Sequence, residues 1–259
     1  MDKNSASITC FYSLLLISSI LFASHFHASE AQAPLVKGLA YNFFAPTCPN
    51  LENIVRNHLT KVFKSDNGQA PGLLRIFFHD CFVQGCDGSL LLDGNPGERE
   101  QPPNAGMRTE ALKTIDDIRA LSGGPNFQVP LGRKDGKTFS IKGTNNLPQP
   151  FNTTNVTLKT FSAQNFDVTD VVALSGAHTF GRAHCGNTAN LDIRTPTVFD
   201  NKYYVDLLNK QGLFTSDQDL NIDSRTKGEI RAKCNLVNGA KKSVLTTLVE
   251  EGMELIDQF

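Results

Sequence analysis

Leu73-Leu74-Arg75-Ile76-Phe77-Phe78-His79-Asp80-Cys81-Phe82-Val83-Gln84-Gly85-Cys86-Asp87-Gly88-Ser89 is the stretch on which the reading of this chain turns. Pro71-Gly72 opens it, and the apolar spacing predicts a helix through Leu73, Leu74, Ile76, Phe77 and Phe78. Arg75 and His79 stand four residues apart, so a helix puts them on one face. A fixed guanidinium charge beside an imidazole disfavours protonation of the ring. That is a poor structural choice and a good catalytic one, a neutral base next to a permanent charge stabiliser. The plainer alternative is a surface arginine and a hydrogen-bonded core histidine.

The second half of the stretch, from Asp80 to Ser89, holds two carboxylates, a hydroxyl and flexible glycines within ten residues. Hard oxygen ligands packed this closely suit calcium. Cys81 and Cys86 are near enough to staple the loop, so a polar turn with one disulfide is the alternative. Zinc is a poor reading, because no second Cys/His pair stands at the right spacing. A metalloprotease fails too, for want of a His-Glu-x-x-His sequence.

Working outward, Leu51, Ile54, Val55, Leu59, Val62 and Phe63 repeat at helical spacing, with Pro49-Asn50 suited to the start and Asn67-Gly68 to the end. The segment 93–107 is rich in Gly, Pro and Asn and reads as loop. A short helix is expected over Glu110 to Leu121, stopped by Gly123-Gly124-Pro125, with irregular chain as far as Pro150. Val168, Val171, Val172 and Leu174 mark another helix, closed by Ser175-Gly176. Phe199 to Lys210 is a further one, with Tyr203, Tyr204, Leu207 and Leu208 on one face and Gly212 at its end. Ser243 to Ile256 is again amphipathic. There is no repeat, no coiled coil and no convincing strand alternation, so the class is mainly α.

The 259 residues are 40% hydrophobic and 20% charged with net charge −1, which is ordinary globular composition. Near-neutrality gives no electrostatic case for a nucleic-acid partner. Lys3, the apolar run Phe11 to Ala23 and the small-x-small Ala31-Gln32-Ala33 together predict a signal peptide over 1–33. The run is too short to span a bilayer, and an uncleaved amphipathic anchor is the alternative. Beyond it five cysteines remain, Cys48, Cys81, Cys86, Cys185 and Cys234, so at least one thiol has no partner in the chain. Asn152-Thr153-Thr154 and Asn155-Val156-Thr157 are two N-glycosylation acceptor sequences.

The stretch from Leu73 to Ser89 resembles the distal motif of the plant secretory (class III) haem peroxidases. Val171-Val172-Ala173-Leu174-Ser175-Gly176-Ala177-His178-Thr179-Phe180-Gly181 resembles their proximal motif. Thr195-Pro196-Thr197-Val198-Phe199-Asp200-Asn201-Lys202-Tyr203-Tyr204, Ser216-Asp217-Gln218-Asp219 and Val129-Pro130-Leu131-Gly132-Arg133-Lys134-Asp135 also match, in family order. Val36-Lys37-Gly38-Leu39 and the tail after Cys234 are similar to one subgroup.

The resemblance implies a plant haem peroxidase fold over 34–259, with a distal part about 34–125, a proximal part about 126–236 and a C-terminal extension 237–259. It implies haem b as cofactor with His178 as iron ligand and Asp217 as the carboxylate on its other nitrogen. His79 would move the proton of bound peroxide, and Arg75 would stabilise charge as the O–O bond breaks. Asn104, six residues after Glu98, would orient His79; Phe78 would cover the haem; Pro148 would border the edge where small phenols give up electrons. Two calcium ions are implied, one on Asp80, Val83, Gly85, Asp87 and Ser89, the other on Thr179, Asp192, Thr195, Val198 and Asp200. The remaining expectations are hydrogen peroxide and phenolic donors as partners, a monomer with neither nucleic acid nor membrane, and an extracellular or, alternatively, vacuolar destination.

Three family segments are absent: after Ile118-Arg119-Ala120, between Cys185 and Asp192, and after Asp223-Ser224-Arg225-Thr226. The resemblance pairs Cys81 with Cys86 and places the partners of Cys48, Cys185 and Cys234 in the missing segments. Several scaffold helices go with them, so the fold is expected to be incomplete. A non-catalytic calcium-binding remnant, or an unstable splice product, is the alternative function.

Overall fold

Apolar spacing becomes helix where it was read. Helix α1 (Leu51–Ser65) turns Val55 and Leu59 inward, four residues and about one turn apart. Helix α2 (Gln69–Phe82) begins two residues before Pro71, which sits in the first turn where its missing N–H removes no internal bond. The computed structural model describes residues 38–117, 134–185 and 187–235. The signal segment 1–33, the join 121–125 and the amphipathic stretch 243–256 lie outside the described residues.

Helix α3 (Thr109–Asp117) lies across α2. Gly72 permits this approach, because a Cβ there would stand 3.0 Å from the Ala111 Cβ and 3.2 Å from the Arg108 Cβ. Ala111, Ile76 and Leu90 form the small core between them. The segment read as loop, 93–107, carries only a short 3-10 turn, Pro102–Asn104.

The proximal side is built from α4 (Thr154–Ser162), α5 (Val168–Ser175), α6 (Lys202–Leu208), α7 (Thr215–Leu220) and α8 (Lys227–Asn235). Asp167 caps α5 by accepting the Asp170 N–H at 3.0 Å, while Asp170 accepts the Asp167 N–H at 2.7 Å. The chain then tightens into a 3-10 turn, Gly176–Thr179, which carries His178. Strands β1 (Arg182–Cys185) and β2 (Asn187–Asn190) pair antiparallel, with Arg182 opposite Asn190 and Cys185 opposite Asn187. This ribbon differs from the strand-free expectation. Its sequence is polar and lacks the period-2 alternation by which strands are read.

One core joins the distal helix to the proximal ones. Phe82 from α2 lies 5.0 Å from Phe161 of α4 and 6.1 Å from Phe166, centroid to centroid, and Phe78 lies 5.2 Å from Phe82. Val171, Val172, Tyr203, Tyr204, Leu207, Leu220 and Ile230 continue the same cluster, nearly all fully buried. The Tyr204 hydroxyl donates to the Val172 carbonyl at 3.0 Å, tying α6 to α5. Among the described residues no helix is long and apolar enough to cross a membrane.

Cys81 and Cys86 form a disulfide, while Cys48 and Cys234 are free and half-buried; the Cys185 side chain lies outside the described residues. In native protein a thiol reagent is therefore expected to label Cys48 and Cys234 and to spare Cys81 and Cys86, as read by peptide mapping. Leu207, 0% exposed between α6 and its neighbours, gives a stability test. Leu207→Ala is expected to lose about 2–5 kcal/mol in denaturant titration, the range for emptying a core leucine site.

Candidate functional site

His178 is set by Asp217, which is N3 of α7. The ring Nδ1 stands 2.7 Å from Asp217 Oδ1. That same oxygen accepts the Tyr203 hydroxyl at 3.1 Å, and Oδ2 accepts the Phe214 N–H at 3.1 Å. An ionised carboxylate offers only acceptors, so Nδ1 carries the hydrogen and Nε2 keeps its lone pair. The edges of Tyr203 and Phe214 flank the ring, at 6.1 Å and 5.6 Å between centroids. Burial alone would depress the His178 pKa, but the Asp217 charge and hydrogen bond outweigh it, and the pKa lies above its ordinary value. Nε2 is thereby a stronger base and a better metal donor. The His178 side chain is 37% solvent-accessible, so the ring is not closed off on every side.

His79, on the last turn of α2, is set in the same way by an amide. Asn104 Nδ2 donates to the Glu98 carbonyl at 2.8 Å, which fixes the amide orientation and leaves Oδ1 to face His79 Nδ1 at 2.7 Å. Nδ1 again carries the hydrogen and Nε2 the lone pair. Burial first, and the Arg75 charge second, push the His79 pKa down to about 4 against the opposing Asn104 bond. The His79 ring is thus neutral above about pH 4.

Arg75 does more than the spacing implied. Nη1 donates to the Gly106 carbonyl at 3.0 Å, and Nη2 to the carbonyls of Ala105 at 3.0 Å and Pro103 at 3.3 Å. It therefore grips the loop on either side of Asn104. Its charge also lowers the His178 pKa, so one cation acts on both imidazoles.

The other expected residues fall as follows. Phe78 is partly buried, 5.9 Å from the His79 ring. Pro148 is half-buried next to buried Leu147, between the 3-10 turn Gly143–Asn146 and α4. In the distal loop, Asp80 accepts the N–H groups of Gly88 at 3.0 Å and Leu90 at 3.2 Å. Burial, with the charges of Asp87 and Asp135, still raises its pKa to about 6. Gln84, Gly85 and Gly88 have positive φ, so the chain folds back tightly here. At Gly136 a Cβ would collide with Asp87 Oδ2, so any side chain there would push the Asp87 carboxylate aside. In the proximal set, the Thr179 hydroxyl meets Asp192 and Asp200 at 3.3 Å each, and the Thr195 hydroxyl meets Asp200 at 3.0 Å. Thr179 and Asp192 are 0% exposed, whereas Val198 is 49% exposed. Among the described residues no three His, Cys, Asp or Glu side chains converge on a point. The residues of the two expected sets instead offer carboxylates, hydroxyls and backbone carbonyls, the ligand types a hard cation takes.

Sequence reading missed three contributors. Tyr203 was read only as part of an apolar face. Phe214 had no signal. Glu98 is fully buried and bound to Ser89 Oγ at 3.3 Å and Ser140 N at 3.1 Å, and its carbonyl accepts Asn104 Nδ2, which links the 80–89 loop to the Asn104 turn. A glutamate in a Gly/Pro/Asn-rich loop was its only visible mark.

The His79 pKa gives a test. Because the folded ring refuses a proton that the unfolded chain accepts near pH 6.5, stability is expected to fall as pH drops from about 6.5 to about 4. Imidazole NMR should place the His79 titration near pH 4, and Arg75→Gln should move it upward.

The chain matches the peroxidase family over residues 55–122 and 119–233. The match breaks where the first family segment is absent. It is 43% identical over 262 aligned positions to peroxidase 12 of Arabidopsis thaliana, covering 77% of this chain and 73% of the relative. A cationic peroxidase of Sorghum bicolor is 40% identical over 259 positions, covering 76% of this chain and 72% of the relative. Peroxidase N of Armoracia rusticana is 36% identical, covering 70% and 74%. The first alignment spans 262 positions yet takes in only 77% of 259 residues, so that relative holds residues with no counterpart here. With two thirds of the chain matched in motif order, this protein belongs to the plant class III peroxidases, shortened within its length, and is a hydrogen-peroxide-dependent oxidoreductase.

Proposed function

We propose that the chain reduces hydrogen peroxide and oxidises small phenolic donors, with His178 holding the iron of haem b. One observation carries this reading. Two imidazoles each have Nδ1 committed to a fixed acceptor and Nε2 free, and one guanidinium charge acts on both. A partly accessible histidine with a carboxylate on its second nitrogen fits a residue that would hold a haem iron. Haem supplies the redox chemistry: two electrons for peroxide, recovered one at a time from donors.

The chain's own groups do the rest. His79 Nε2 takes a proton from the peroxide oxygen nearer the cofactor and returns it to the departing oxygen, which leaves as water. Its pKa near 4 keeps the ring neutral and ready to accept. Asn104 holds it in the right tautomer. The Arg75 charge stabilises the negative charge that grows on the separating oxygens. Asp217 holds His178 and strengthens Nε2 as a donor. Phe78 supplies an apolar face, and Pro148 borders the edge at which phenols approach.

Two calcium ions complete the reading. Asp80, Val83, Gly85, Asp87 and Ser89 would hold one, and Thr179, Asp192, Thr195, Val198 and Asp200 would hold the other. The raised Asp80 pKa marks a carboxylate group short of positive charge, which a divalent ion supplies. The protein works as a secreted monomer, with the vacuole as alternative destination.

The decisive experiment separates the histidines. His178→Ala is expected to abolish the Soret band after haem reconstitution, whereas His79→Ala should keep haem and lose peroxide cleavage by about 100-fold or more. Equal haem retention in both variants rejects the ligand assignment. Calcium chelation is expected to lower the Tm; an unchanged Tm in calcium and in chelator rejects the cation sites.

A further inference from the structure

One oxygen of Asp217 serves two donors. Oδ1 accepts His178 Nδ1–H at 2.7 Å and the Tyr203 hydroxyl at 3.1 Å, while Oδ2 accepts the Phe214 N–H at 3.1 Å. An ionised carboxylate has acceptors alone, so the hydroxyl must donate. Each hydrogen bond draws electron density out of the acceptor oxygen, so two donors on one oxygen weaken each other. Asp217 is 2% exposed, and in a buried, low-dielectric setting this competition is felt in full.

Tyr203 reaches that oxygen from a helix anchored independently of α7. It is the second residue of α6. The Lys202 N–H donates to Asp200 Oδ1 at 2.7 Å, Asn201 Nδ2 donates to the Cys234 carbonyl at 2.9 Å, and the Tyr204 hydroxyl bonds Val172. None of these bonds involves Asp217. The Tyr203 ring packs edge-on to His178 at 6.1 Å and to Tyr204 at 5.1 Å, centroid to centroid, and the residue is 2% exposed. Phenylalanine would keep those ring contacts, so packing does not call for the hydroxyl.

We propose that Tyr203 is a positioning residue that acts through Asp217 on the iron ligand: by sharing Oδ1 it limits the negative charge that the carboxylate lends to the His178 ring. The inference rests on the reading of His178 as the residue that would hold the haem iron. An electron-rich imidazole favours oxidised iron, and hydrogen bonding behind the ligand is one of the levers by which a protein sets that preference. Asp217 pushes in one direction and Tyr203 takes back part of the push. The set point is then the balance of two hydrogen bonds on a single oxygen.

The alternative is that the hydroxyl merely holds Asp217 in place, and the two roles differ in sign. The test reconstitutes haem b into the full-length parent, Tyr203→Phe, Asp217→Asn and the double variant. Two quantities are read, the Fe(III)/Fe(II) midpoint potential by spectroelectrochemistry and the ferrous iron–imidazole stretch by resonance Raman. Tyr203→Phe is expected to lower the potential and raise the stretching frequency, because the carboxylate charge is no longer divided. Asp217→Asn, which removes that charge, should move both the opposite way. In the Asp217→Asn background, Tyr203→Phe should shift both far less, since its route to the ligand is gone. A hydroxyl that only held Asp217 would give Tyr203→Phe the sign of Asp217→Asn. That sign, no shift, or an equal shift in the Asp217→Asn background overturns the inference alone, as long as the parent shows its iron–imidazole band. A parent that takes up haem without that band overturns the ligand reading and the inference with it.

Discussion

A buried imidazole presents a lone pair in a fixed direction only when its other nitrogen is held. The contact of His178 Nδ1 with Asp217 Oδ1, at 2.7 Å, is the constraint around which the proximal side is arranged. Asp217 is itself buried, and a buried carboxylate needs donors. They come from three elements: the 3-10 turn after α5, Tyr203 of α6, and the backbone at the start of α7. One side chain thus fixes a ring, a helix cap and the approach of α6. The aromatic cluster and the Tyr204 bond to Val172 then set the spacing between those elements.

The distal side answers the same problem with a neutral group. An amide in place of a carboxylate leaves His79 without a counter-charge, and Arg75 adds a charge of the wrong sign for protonation. The two histidines therefore diverge, one made more basic and one far less, although each is bonded through Nδ1. Divergent environments of this sort are what the proposed ligand and base roles call for. Arg75 serves both ends of the arrangement, since the carbonyls it grips bracket the residue that orients His79.

Much of this was legible in the sequence because its carriers are local. Arg75 and His79 share a helix, and the Asp80–Ser89 loop is continuous, so spacing alone placed them. Helices α1, α2, α5 and α6 followed from apolar periodicity. Helix α4 did not, because Asn152 to Thr157 is polar and follows a proline, the pattern of a loop. Helices α7 and α8 are short and polar and depend on tertiary partners. Tyr203 was hidden for another reason. Its hydroxyl meets a residue 14 positions away, and no periodicity encodes which tyrosine of a Tyr-Tyr pair faces a carboxylate. The function itself was visible only through long motifs in family order, since no composition signal distinguishes a redox enzyme.

Sequence separation of the two orienting pairs bears on how such a chain assembles. His79 and Asn104 are 25 positions apart, and His178 and Asp217 are 39 apart. Neither pair reaches across to the other. Each closes a loop of modest length, and closure entropy grows only slowly with length. Fixing each tautomer is thus a short-range event on the chain, achievable before the distal and proximal elements dock. The segment missing after Ala120 lies between the two pairs and leaves both closures untouched, whereas the one missing between Cys185 and Asp192 lies inside the His178–Asp217 loop and shortens that closure. The docking of one pair on the other remains the long-range, slow part of folding by contact order.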